Sequence, residues 1–89
     1  MLRIAPRELV LGPDELGVAE VSWDAGDVPG AELWVSANSE PEHLFAGGAN
    51  GMQAAPWIKA PGSYTFRLYG GEGRSTILDT VRVTAEPRR

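Results

Sequence analysis

The chain has no cysteine and only one histidine, His43. Without thiols no disulfide can staple it, so the core alone must hold the fold. The absence leans towards a reducing compartment, although many extracellular bacterial modules also lack disulfides. A lone histidine with no cysteine beside it cannot build a zinc site, which needs several nitrogen or sulfur ligands. A clustered basic face is missing too: 8 Lys+Arg against 12 Asp+Glu give a net charge of -4. That balance speaks for solubility and against nucleic acid as a partner. No apolar run is long enough to cross a membrane, and the opening Met1-Leu2-Arg3-Ile4-Ala5-Pro6 is no signal peptide. No membrane partner is expected. The compartment stays open: cytoplasmic, or extracellular if the chain is cut from a longer exported protein. Helical periodicity is absent from every window of a dozen residues, so no helix is expected.

What is present is punctuation. Eleven glycines and seven prolines are spread along 89 residues, not gathered in a linker. Between them lie short β-branched and aromatic runs at regular intervals, the signature of an all-β sandwich or barrel. The runs fall at residues 2–5 continuing through 8–11, then 18–24, 31–37, 42–46, 52–58, 64–69 and 76–84. Pro6 lacks an amide hydrogen, so the first run reads as one edge strand in two pieces. Asn50-Gly51 reads as a hairpin turn, and Gly70-Gly71-Glu72-Gly73 as a flexible link. The expectation is a seven-strand antiparallel β-sandwich forming one domain over residues 1–85, with 86–89 as a frayed tail. The last strand is expected at an edge, with Asp79 and Arg82 as guards against edge pairing.

The stretch from Gly62 to Gly70 is the most informative. After the Pro61-Gly62 turn, Tyr64, Phe66 and Leu68 fall on one face and Thr65, Arg67 and Tyr69 on the other. A period of two marks a strand with one dry side and one wet side. In residues 18–24, Ala19, Val21 and Trp23 likewise oppose Glu20 and Ser22. Trp23 and Tyr64 are therefore assigned structural roles, and a buried Trp alone removes about 200 Å² from water.

Two motifs carry a family resemblance. Val21-Ser22-Trp23-Asp24-Ala25-Gly26 resembles the second strand of fibronectin type III and related immunoglobulin-like domains, where a core Trp follows a Val-Ser pair. Pro61-Gly62-Ser63-Tyr64-Thr65-Phe66-Arg67-Leu68-Tyr69 resembles their sixth strand, with its corner tyrosine. Leu44-Phe45-Ala46 and Ala55-Pro56-Trp57-Ile58 are similar to immunoglobulin-like modules of bacterial multidomain proteins, some of them enzymes acting on sugars. Ile58 stands where fibronectin type III domains place a Leu, and no Arg-Gly-Asp tripeptide occurs. The resemblance implies an immunoglobulin-like Greek key. It implies no particular activity, because this sandwich hosts many.

Catalysis is not expected. Ser75, Asp79 and His43 make a triad only on paper, without a nucleophile elbow or an oxyanion hole. Asp24 and Asp27 offer too few oxygens for calcium, and Gly70–Gly73 lacks the Lys-Ser/Thr of a phosphate loop. No cofactor is implied. The surface that attracts notice is the outer side of the third, sixth and seventh strands. Alternation turns Trp34 outward there, beside Arg67, Tyr69 and Arg82. This set could dock a neighbouring domain or protein, or stack a glycan. Alternatively, Arg67 and Arg82 lay their stems over Trp34 as a cross-strand cluster. Trp57 is either a lid over one end of the core or an exposed loop aromatic. The expected role is a monomeric, non-catalytic accessory module acting as spacer or protein-docking domain, the alternative being a carbohydrate-binding module.

Overall fold

The computed structural model describes residues 1–88. It contains eight strands: β1 (Leu2–Ala5), β2 (Glu8–Leu11), β3 (Gly17–Asp24), β4 (Glu32–Ala37), β5 (His43–Gly47), β6 (Asn50–Ile58), β7 (Gly62–Gly70) and β8 (Thr76–Pro87). They form two sheets, β1-β3-β6 and β2-β8-β7-β4-β5. Alternation decides which face goes inward. Ala19, Val21 and Trp23 of β3 are buried against Phe66, Leu68 and Tyr64 of β7, in one core shared with Leu33, Val35, Ile58 and Val83.

The expected count of seven antiparallel strands is corrected at Pro6. The first run does not continue as one edge strand. Residues Leu2–Ala5 pair antiparallel with β3, whereas Glu8–Leu11 cross to the other sheet and run parallel to the end of β8. A residue without an amide hydrogen cannot extend a ladder, so the chain changes sheets there.

That crossing also changes the tail. β8 reaches Pro87, with Glu86 and Pro87 opposite Val10 and Leu11. The Arg88 amide then donates to the Leu11 carbonyl at 2.8 Å, and its guanidinium lies 3.3 Å from Glu15. Residues 86–88 are therefore held by β2, not frayed; Arg89 lies outside the described residues. Thr84 and Ala85 are thus flanked by both β2 and β7, Glu86 and Pro87 pair with β2, and the earlier part of β8 borders β7 alone. At that edge the Asp79 carboxylate accepts the Leu2 amide at 2.8 Å and ties the two sheets together.

Asn50-Gly51 is not a hairpin turn. Both residues belong to β6, and β5 and β6 lie in different sheets. The chain turns instead at Gly48, whose φ of 111° favours glycine. Gly51 serves a different purpose: a Cβ there would sit 2.7 Å from Cζ2 of Trp23. The glycine lets the indole lie flat on the neighbouring strand, with Nε1 donating to the Gly48 carbonyl at 3.2 Å. The link after β7 is also structured, as a 3-10 turn over Glu72–Arg74.

Candidate docking surface

On the outer face of the five-stranded sheet, Trp34 of β4 lies opposite Arg67 of β7, and Glu32 lies opposite Tyr69. Two loops then fold onto this face. The first follows β4. Asn38 takes up a left-handed conformation (φ 57°), donates its amide to Ser63, and accepts the Ser63 amide on Oδ1 at 3.1 Å. The Ser36 hydroxyl donates to the Glu40 carbonyl. Short polar side chains such as Asn and Ser make these local bonds readily, which is why the loop closes here. It buries Ser36 and Thr65, two residues that alternation alone would leave wet. It also delivers Glu42.

Glu42 gathers three donors. The Tyr69 hydroxyl lies 2.7 and 2.9 Å from its two oxygens. Arg67 Nη1 is 3.2 Å from Oε2, and Arg74 Nη1 is 3.3 Å from Oε1. The second loop supplies Arg74. Gly71, Gly73 and Arg74 all have positive φ, at 81°, 62° and 61°. This backbone aims the guanidinium over the Trp34 ring, 4.0 Å from its centroid, and 5.6 Å from that of Tyr69. Trp34 Nε1 donates to Glu32 Oε1 at 3.3 Å. Burial pushes the Tyr69 phenol above its ordinary pKa of 10.0. Its hydrogen bond to Glu42 and the carboxylate charge push it further, while Arg67 and Arg74 pull the other way.

The expected surface is thus redrawn. Trp34 is on the outer face and half-buried, and the guanidinium over its ring is that of Arg74. Tyr69 is only 9% exposed and offers no bare ring. Arg67 is present and engaged with Glu42. Arg82 stands apart: it pairs with Thr65 and borders a notch lined by Pro6, Arg7, Glu8 and Thr84. Thr80, not Arg82, lies opposite Arg67. Sequence reasoning missed Glu42 and Arg74, which lie 25 and 7 residues from Arg67. Both lie outside the strands, where alternation sets no direction for a side chain.

The residues given structural roles are both inside. Trp23 is described above, and Tyr64 accepts the Lys59 amide on its hydroxyl at 2.9 Å. Trp57 falls between its two alternatives: its ring packs on core aromatics, yet it stays 37% exposed. It is on β6, with centroids 5.5 Å from Tyr64 and 6.3 Å from both Phe45 and Phe66. There it lines a shallow groove of about 390 Å³ with His43, Leu44 and Gln53. Ser75 hydrogen-bonds Gly70 and Asp79 holds the Leu2 amide, so each hydroxyl or carboxylate serves the backbone. Among the described residues, no three of His, Cys, Asp and Glu gather in a way that could hold a metal ion, and no helix is long and apolar enough to cross a membrane. No family model, no curated protein and no solved structure matches the chain.

Proposed function

We propose that the chain is an immunoglobulin-like, fibronectin type III-like accessory module of a bacterial multidomain protein, non-catalytic, whose work is spacing and protein docking. The immunoglobulin-like assignment is supported by the first strand dividing between both sheets and by Trp23 packed in the core. The Tyr64 hydroxyl bonded back to Lys59 is a tyrosine corner in geometry, which supports it further. The observation that carries the docking role is the outer-face cluster of Trp34, Tyr69, Arg67, Arg74 and Glu42. It sets an ordered aromatic surface among fixed charges, the composition of a protein interface centre. The burial of Tyr69 leaves this face without a second bare ring, which weighs against a sugar ring stacking on it.

The test is an NMR titration of the isotopically labelled module with the adjoining domain or partner protein, and separately with soluble oligosaccharides. Docking predicts shift changes confined to β4, β7 and the two covering loops, lost in Trp34→Ala while the fold is kept. Tryptophan quenching by an oligosaccharide that Trp34→Ala abolishes would replace docking with carbohydrate binding.

A further inference from the structure

The cluster on the outer face has the composition of a cation receptor that is already filled. Trp34 offers a ring face, Tyr69 a second ring, and Glu42 a carboxylate at the rim. A planar guanidinium is recognised by this combination: cation–π attraction to the rings and charge-assisted hydrogen bonds to the carboxylate. The occupant is Arg74, which sits 4.0 Å over the indole and 3.3 Å from Glu42. Two features leave it able to depart. Its side chain stays 39% exposed. Its backbone has φ 61°, a left-handed conformation that disfavours every residue with a side chain except in special contexts, and it sits in a turn with two further left-handed glycines. The receptor itself is better anchored. Glu42 is fixed from the other side by Arg67 and by the Tyr69 hydroxyl, so the carboxylate stays aimed when Arg74 leaves.

We infer that the Trp34–Tyr69–Glu42 pocket receives an arginine side chain from the docking partner, with Arg74 as a resident competitor that swings out when the partner's guanidinium enters. The inference rests on the docking reading and adds the chemistry of the contact. A site closed by its own side chain binds with an affinity reduced by the fraction of time it stands open. If Arg74 occupies the pocket about nine-tenths of the time, emptying it raises the apparent affinity about tenfold.

The experiment titrates N-acetyl-arginine methylamide into the full chain and follows the Trp34 indole N–H signal by NMR. The neutral citrulline analogue, of nearly the same shape, is the control. The vacated variant is Arg74→Gly, which suits the left-handed backbone; Arg74→Asn, also tolerant of positive φ, repeats the measurement if the first does not fold. The expected result is saturable binding of the arginine probe to the vacated variant, about tenfold tighter than to the wild type. The citrulline control should give no response, and Arg74→Gly combined with Glu42→Gln should lose the arginine response. A folded vacated variant that ignores the arginine probe, or binds citrulline equally well, overturns the inference. If that happens while Trp34→Ala still abolishes partner docking, docking stands and the arginine receptor alone falls.

Discussion

Replacing Glu42 by alanine should unlatch the outer face, and the size of the effect follows from its three partners. Tyr69 is buried, and its hydroxyl donates to a charged acceptor in a part-buried bond contributing about 1.5–3 kcal/mol. Arg67 and Arg74 are 34% and 39% exposed, so solvent screens their pairing with Glu42. Each such pair contributes no more than about 0.2–1 kcal/mol. The sum, allowing the freed hydroxyl to find water, is about 2–3 kcal/mol, or roughly 10–20 °C in Tm for a domain of this size. Urea unfolding followed by tryptophan fluorescence measures it. Glu42→Gln keeps an acceptor for Tyr69 and should cost only about 1 kcal/mol. Combined with Tyr69→Phe, Glu42→Ala should fall short of additivity by about 1 kcal/mol, because both substitutions break the same bond. A Glu42→Ala protein within about 0.5 kcal/mol of the wild type would refute the clamp.

Gly51→Ala places a methyl against the Trp23 ring, and this overpacking should cost about 1–3 kcal/mol with a changed Trp23 emission maximum; an unperturbed spectrum and stability would contradict the seat. For Tyr69 the folded-state pKa lies above 10.0. Its neutral phenol therefore contributes stability that is complete below pH 10 and declines as pH rises through the folded value. Urea midpoints measured from pH 9 upward should fall more steeply for the wild type than for Tyr69→Phe; parallel profiles would count against this. Asp79→Ala removes the acceptor of the Leu2 amide and should speed hydrogen exchange there and lower stability by about 1–2 kcal/mol, with Asp79→Asn closer to the wild type. Unchanged Leu2 exchange would show that the clasp is not formed.

The all-β class was legible because apolar and polar residues alternate strictly from Ala19 to Asp24 in β3, and because Tyr64, Phe66 and Leu68 repeat that period of two on the inner side of β7. Trp23 and Tyr64 could be placed for the same reason. The strand count went astray at Pro6. The sequence marks a break there, but only the β2 partner at the far end of β8 shows where the chain goes next. Asn50-Gly51 misled because one dipeptide signals two needs. The glycine is required by the ring of Trp23, 28 residues earlier, and not by a turn. The outer face was half legible. Strand period put Trp34, Arg67 and Tyr69 on one side, yet it counts only neighbours within the sheet. Glu42 and Arg74 arrive on loops that fold over that side, so Tyr69, nominally wet, is buried. Arg82 was misplaced by the same omission: shared orientation does not supply the register that sets it opposite Thr65.

The most direct test of the account is the NMR shift of the Arg74 side chain. A guanidinium stacked on Trp34 places its δ-methylene and Nε–H protons in the shielding cone of the indole. The account predicts upfield-shifted Arg74 signals that return to ordinary positions in Trp34→Ala. Ordinary Arg74 shifts in the wild-type protein, indifferent to that substitution, would contradict it.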